Sequence, residues 1–239
     1  MFRSNRFQWI AGIAFAAGTP GGGAGGRAPS RIKPGAKDAL IVVDVQNSFV
    51  PGGSLAVKDG DAVVPVVNAL AQRFANVVLT QDWHPSGHVS FASSHAGQQP
   101  FDTLALPYGN QVLWPDHCVQ GTEGAALHKD LSIPHAQLIL RKGYHPDVDS
   151  YSAFLEADAK TQTGLQGYLQ ERGIESVYVC GLATDFCVAW TALDARKLGF
   201  RAAVIEDACR AIDGQGSLAA AWEQMAKAGV QRLKSTDIA

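Results

Sequence analysis

The chain has 239 residues, 46% of them apolar, with 20 Lys and Arg against 22 Asp and Glu for a formal net charge of -2. That is enough for one sizeable α/β domain and too short for two full ones, and no basic stripe interleaved with aromatics supports a nucleic-acid partner, so small molecules are the expected ligands. Four cysteines (Cys118, Cys180, Cys187, Cys209) make neither a CxxC pair nor a dense framework, which fits free thiols in a reducing compartment.

Residues 1–37 differ in kind from the rest of the chain. Arg3 and Arg6 precede the apolar run Phe7 to Ala17, and a Gly- and Pro-rich stretch continues through Arg27. The order loosely imitates a secretory signal, but the apolar core is short and its flank untidy. The reading is a disordered leader on a cytoplasmic protein, with export as the alternative, and a domain over residues 38–239. No other run reaches the roughly 18 to 20 apolar residues of a membrane span.

From Ala39 onward, short β-branched runs bounded by turn residues recur: Ala39 to Val43, Asn76 to Thr80, Gln137 to Arg141, Ser176 to Cys180, Arg201 to Ile205 and Gly229 to Leu233. They predict six strands buried on both faces. Between several of them lie helical spacings over Asp61 to Phe74, Thr163 to Arg172, Asp185 to Leu198 and Ser217 to Ala228, with Gly173 and Gly199 as stops. Alternation of this kind implies right-handed crossovers and a mainly parallel sheet. One connection, Thr80 to Gln137, runs long, is rich in His, Pro, Gly and Trp, and shows no convincing helix. Such loops are usually functional.

Ligands of open parallel sheets sit beyond the carboxyl ends of the strands, which singles out the residues just after each run. Cys187 lies where the fourth run passes through Gly-Leu-Ala-Thr into a helix beginning near Asp185. A helix start is expected to stabilise a thiolate, and its free N–H groups can hold an oxyanion. Asp44 ends the first run as a carboxylate against apolar neighbours; desolvation there makes it more basic and suited to take a thiol proton. Lys142 follows the third run, and a cation beside a thiolate favours the charged sulfur. A buried structural cysteine, a turn-capping Asp and a solvated Lys are the ordinary alternatives for each residue alone. Three strand ends of one sheet make the constellation.

Asp82 and His84 stand two residues apart in an extended segment and so point to one side, with His117 from the same long connection as a third ligand. Asp and two His suit Zn, Fe or Mn with positions left open. His88 is either a fourth ligand or support for the others.

Val43-Asp44-Val-Gln-Asn-Ser-Phe49, Asp82-Trp-His84, Trp114-Pro-Asp-His117-Cys, Arg141-Lys142-Gly, Asp149-Ser-Tyr-Ser-Ala-Phe154 and Gly181-Leu-Ala-Thr-Asp-Phe-Cys187 together resemble the nicotinamidases of the isochorismatase-like hydrolase superfamily. The resemblance covers Ala39 to about Asp237. It implies a six-stranded parallel sheet in a three-layer α/β/α sandwich, and hydrolysis of nicotinamide to nicotinate and ammonia in NAD salvage, with pyrazinamide as a second substrate. It makes Cys187 the nucleophile, Asp44 the general base and Lys142 the third member of a triad. Asp82, His84 and His117 match the ligands of one divalent metal, zinc first and iron or manganese after it. Phe49 and Trp114 match the walls of a flat ring site. A cis peptide between Leu182 and Ala183 and an oxyanion hole from the Ala183 and Cys187 N–H groups are also implied. The partner is then a small molecule, with no nucleic acid and no membrane, and self-association stays open. A sister hydrolase of carbamoyl amides would lack the Asp-x-His and His117 set. An Fe(II) oxidoreductase on that set would leave the thiol site redundant.

Overall fold

A computed structural model describes residues 31–239. The leader expectation for residues 1–30 falls outside the described residues. Within residues 31–37, assigned to that leader, Ile32 pairs with the last residues of the chain. The Ile32 N–H donates to the Asp237 carbonyl, and the Ala239 N–H donates to the Ile32 carbonyl, both at 2.7 Å. The entering and leaving ends of the chain thus satisfy each other's backbone groups.

The described strands are β1 (Asp38–Val43), β2 (Asn76–Asp82), β3 (Thr103–Leu106), β4 (Gly109–Val112), β5 (Leu138–Lys142), β6 (Ser176–Leu182), β7 (Arg201–Arg210) and β8 (Gln231–Leu233). The helices are α1 (Val63–Ala71), α2 (Leu165–Glu171), α3 (Ala189–Lys197) and α4 (Ser217–Lys227). Six strands form one sheet in the order β5-β2-β1-β6-β7-β8, parallel at every pairing. Each predicted apolar run falls in one of these six. The central strands β1 and β6 are buried almost throughout, as runs covered on both faces must be. The edges depart from that expectation: β5 alternates, with Ile139 52% exposed, and β8 is largely exposed. A strand with a single hydrogen-bonded neighbour lies at the border of the covering helices.

From β1 the order steps through β2 to β5 in one direction, and from β6 through β7 to β8 in the other. Right-handed crossovers therefore place α1 and α3 on opposite faces, giving three layers. The reversal between β1 and β6 is the topological switch point, where a crevice opens beyond the strand ends. Gly181 permits the close approach there: a Cβ on it would lie 2.1 Å from the Val43 carbonyl oxygen, and its φ is +114°.

The long connection after β2 carries more regular structure than its sequence announces. It contains the antiparallel hairpin β3–β4, which periodicity does not reveal because each strand has only four residues.

Candidate active site and metal centre

Four strand ends deliver the polar residues of the crevice. Asp44 follows β1 with a left-handed φ of +48°. The Asp44 N–H donates to Thr80 Oγ1 at 3.1 Å, and that hydroxyl donates to Asp44 Oδ1 at 2.6 Å, so β2 holds both backbone and carboxylate. Asp82 closes β2 and Lys142 closes β5, at paired positions of the ladder. Cys187 sits in the wide π-helical turn Thr184–Val188 between β6 and α3. The peptide between Leu182 and Ala183 is cis, as the resemblance implies.

Lys142 is completely buried and gathers the others around its ammonium. It lies 2.9 Å from Asp44 Oδ2 and 3.4 Å from Cys187 Sγ, donates to the Ser150 carbonyl at 2.8 Å, and pairs with Asp82 Oδ1. Carboxylate oxygens of Asp44 and Asp82 and the Cys187 sulfur lie within 4.8 Å of one another. Such a set can hold a metal, but here the Lys142 ammonium already supplies the positive charge. Asp44 Oδ2 faces the Lys142 ammonium at 2.9 Å in a fully buried setting.

Burial is the strongest influence on every one of these groups. It raises the Asp44 carboxyl to about 6 against the pull of Lys142. At Asp82 it is outweighed by Lys142 and His84, which hold that carboxyl well below the usual range. Burial would discharge Lys142, but Asp44 and Asp82 keep it an ammonium. The thiol of Cys187 departs from the sequence expectation. Burial pushes it well up, with Asp44 and Asp82 adding to the rise and Lys142 opposing it. Desolvation and the two carboxylates thus favour the protonated sulfur over the thiolate.

Asp82 also faces the second cluster. Its Oδ2 lies 3.6 Å from His84 Nε2 and 3.9 Å from His117 Nε2, and one ligand atom from each of the three residues falls within 4.8 Å of the others. Both rings are oriented from behind. Nδ1 of His84 bonds the Gly143 carbonyl at 2.7 Å and Nδ1 of His117 the Pro115 carbonyl at 2.8 Å, so each Nδ1 carries the proton and each Nε2 presents a lone pair. A Cβ on Gly143 would come 2.5 Å from the His84 ring.

His84 Nε2 is buried with no hydrogen-bond partner. Burial and His84 together bring His117 down to about 4, while Asp82 raises His84 against burial. A carboxylate between two imidazole lone pairs, one of them orphaned, fits a divalent cation. His88 stacks on His84 with ring centroids 4.2 Å apart. Its nitrogens bond Ser90 Oγ at 2.7 Å and the Val148 carbonyl at 3.2 Å, and ligand atoms of His84, His88 and Asp149 also lie within 4.8 Å of one another.

Phe49 and Trp114 are both buried beside these clusters. Phe49 packs on His117 at 5.5 Å, and Trp114 meets Phe186 at 5.0 Å and Tyr151 at 6.4 Å. The structure thus brings Asp44, Asp82, Lys142 and Cys187 together at one end of the sheet, with His84 and His117 on the far side of Asp82. It adds Thr80, Ser150, Tyr151 and Phe186, to which sequence reasoning assigns no role. Tyr151 and Phe186 lie inside the quoted motifs, so an aromatic within a motif that carries or flanks candidate site residues is the signal that could have found them.

Residues 38–237 match the isochorismatase domain family. The chain is 61% identical over 208 residues to a nicotinamidase of Acinetobacter baylyi, covering 87% of this chain and 97% of the relative. The solved nicotinamidase pyrazinamidase of Acinetobacter baumanii superposes with a TM-score of 0.85 at 63% identity, over 86% of this chain and 99% of that one. A pyrazinamidase of Pyrococcus horikoshii solved in complex with zinc gives 0.68 at 35% identity, over 83% and 99%. Sequence, fold and site geometry agree: the chain belongs to the isochorismatase domain family, close to its nicotinamidases.

Proposed function

We propose that the protein hydrolyses nicotinamide to nicotinate and ammonia, in NAD salvage, through a thioester on Cys187. The observation that carries this reading is the sharing of Asp82. One of its oxygens pairs with Lys142 of the thiol cluster, and the other faces the imidazoles of His84 and His117. Nucleophile and ring anchor are thereby held one carboxylate apart.

Asp44 takes the Cys187 proton, and the sulfur bonds to the amide carbon while the carbonyl oxygen gains negative charge. The Ala183 and Cys187 N–H groups receive that charge. The C–N bond breaks, and ammonia leaves with the proton returned by Asp44. Water then adds to the thioester, giving its proton to Asp44, and nicotinate departs as the thiol is restored. Lys142 keeps its charge throughout and holds Asp44 and Cys187 in register. Phe49 and Trp114 bound the flat ring, a role that suits pyrazinamide equally.

Asp82, His84 and His117 would hold a divalent cation, which supplies a Lewis-acid anchor for the ring nitrogen and so orients the amide. Zinc is the choice supported by the Pyrococcus relative and by the donor set, and iron or manganese would satisfy the same ligands. The four free, buried cysteines support a cytoplasmic setting, and no helix among the described residues is long and apolar enough to cross a membrane. Ammonia release from nicotinamide by the purified protein, before and after chelation and zinc return, tests the reading. No ammonia from nicotinamide or pyrazinamide at any metal loading would sink it.

A further inference from the structure

We infer that Gln111 is a positioning residue of the hydrolytic site, one that fixes the aromatic wall for the substrate ring by acting through Tyr151 and Trp114. The inference rests on the proposed hydrolysis of nicotinamide. Gln111 lies in β4 and is completely buried, an uncommon fate for an amide in a hairpin whose other residues are partly exposed. Its two Nε2 hydrogens are shared among three acceptors, Asp149 Oδ2 at 2.7 Å, the Val112 carbonyl at 2.7 Å and the Tyr151 hydroxyl oxygen at 3.0 Å. Its Oε1 accepts from the Tyr108 hydroxyl at 3.1 Å.

The Tyr151 oxygen also accepts the Trp114 Nε1–H at 3.0 Å. The phenol oxygen thus faces two N–H donors, the Trp114 indole and the shared Gln111 amide, which holds the hydroxyl between the wall tryptophan and the buried amide. On the other side, Asp149 Oδ1 accepts the Ser150 N–H at 2.8 Å, and the Ser150 carbonyl accepts Lys142 Nζ at 2.8 Å. A continuous buried path therefore runs from Lys142 through Ser150, Asp149, Gln111 and Tyr151 to Trp114. An amide suits the middle of that path because it donates to a carboxylate and a phenol at once. Glutamate there would face Asp149 with like charge, and leucine would leave both partners short of a donor.

The experiment compares wild type with Gln111→Leu, Tyr151→Phe and the double variant. It follows steady-state nicotinamide hydrolysis and the rate of Cys187 alkylation by iodoacetamide. The expected result for Gln111→Leu is a KM raised roughly 5- to 10-fold with kcat within about twofold. Alkylation should proceed at the wild-type rate, since the nucleophile is untouched. If Gln111 acts through Tyr151, the double variant is no worse than the more affected single one. A wild-type KM in folded Gln111→Leu, a loss shared by kcat and alkylation, or additive losses in the double variant would each overturn the assignment. Should Gln111→Leu fail to fold by circular dichroism, Tyr151→Phe alone decides, and an unchanged KM overturns it. Wild-type turnover with an unaltered variant defeats only the role of Gln111, whereas absence of ammonia from wild type defeats the hydrolase reading and this inference with it.

Discussion

At the amino ends of β1, β6, β7 and β8, a cavity of about 410 Å3 is lined by Asp38, Ser176, Tyr178, Arg196, Arg201 and Gln231 among others. At the carboxyl ends of β1, β2 and β5 and beyond β6, Asp44, Asp82, Lys142 and Cys187 are packed together with almost no exposure. The arginines of the first region satisfy themselves on nearby groups. Arg196 donates to the carbonyls of Ala228 and Phe200, and Arg201 to Ser176 Oγ and to Glu175. The second region keeps a carboxylate oxygen and an imidazole nitrogen buried without a hydrogen bond. Charge in water is screened and little perturbed; charge out of water is costly and held only by close partners. Volume draws attention to the amino ends, whereas buried, closely paired charge marks the carboxyl ends as the candidate site of chemistry.

Substitutions should separate the two regions by orders of magnitude. Cys187→Ala is expected to lower kcat/KM for nicotinamide by at least about 10,000-fold while bound metal per chain stays unchanged, measured by ammonia release and metal analysis. Retained turnover would remove Cys187 from the mechanism. Asp44→Asn should cost about 1,000-fold, since the buried thiol then has no base. Replacing His84 by alanine is expected to strip the metal and reduce activity by more than about 100-fold, the upper figure for losing an outer-shell partner alone. Unaltered metal content in that variant would move the metal elsewhere.

The pH profile offers a smaller but sharper distinction. Asp44 must be ionised to accept the thiol proton, and burial places its carboxyl at about 6. Activity should therefore be full on the alkaline side of that value and fall about tenfold per unit below it. A flat profile down to about pH 4.5 would deny Asp44 the role of base. At the far end of the sheet, Arg201→Ala should change neither kcat/KM by more than about twofold nor stability by more than roughly 0.5 kcal/mol, because its ion pair with Glu175 is exposed. A large loss there would make the amino-end cavity part of the working machinery.

Much of the site is legible in the sequence. The six apolar runs, the polar residues that terminate them and the Asp-x-His pair are local patterns, and local patterns survive in one dimension. The thiol environment is not legible there. Cys187 near a helix start reads as an acidic thiol, but its setting depends on Asp44 and Asp82, which are far away in sequence and raise it. Nor is the supporting network. Gln111 looks like a surface amide of a polar loop until β4 carries it beneath Tyr151 and Trp114. Edge strands show the opposite failure, since the apolar run at β5 says nothing of being last in the sheet.

Periodicity in the chain was sufficient to define a parallel α/β sheet, and its strand-end residues marked a candidate thiol site and a candidate metal cluster, because each signal lies within a few neighbouring residues. Tertiary structure alone decided that Asp82 is divided between Lys142 and the two histidines, that the surroundings of Cys187 favour its protonated form, and that Gln111 is buried in hydrogen-bonding reach of Asp149 and Tyr151. Those properties arise from desolvation and from contacts between residues tens of positions apart, and only the closed fold creates either.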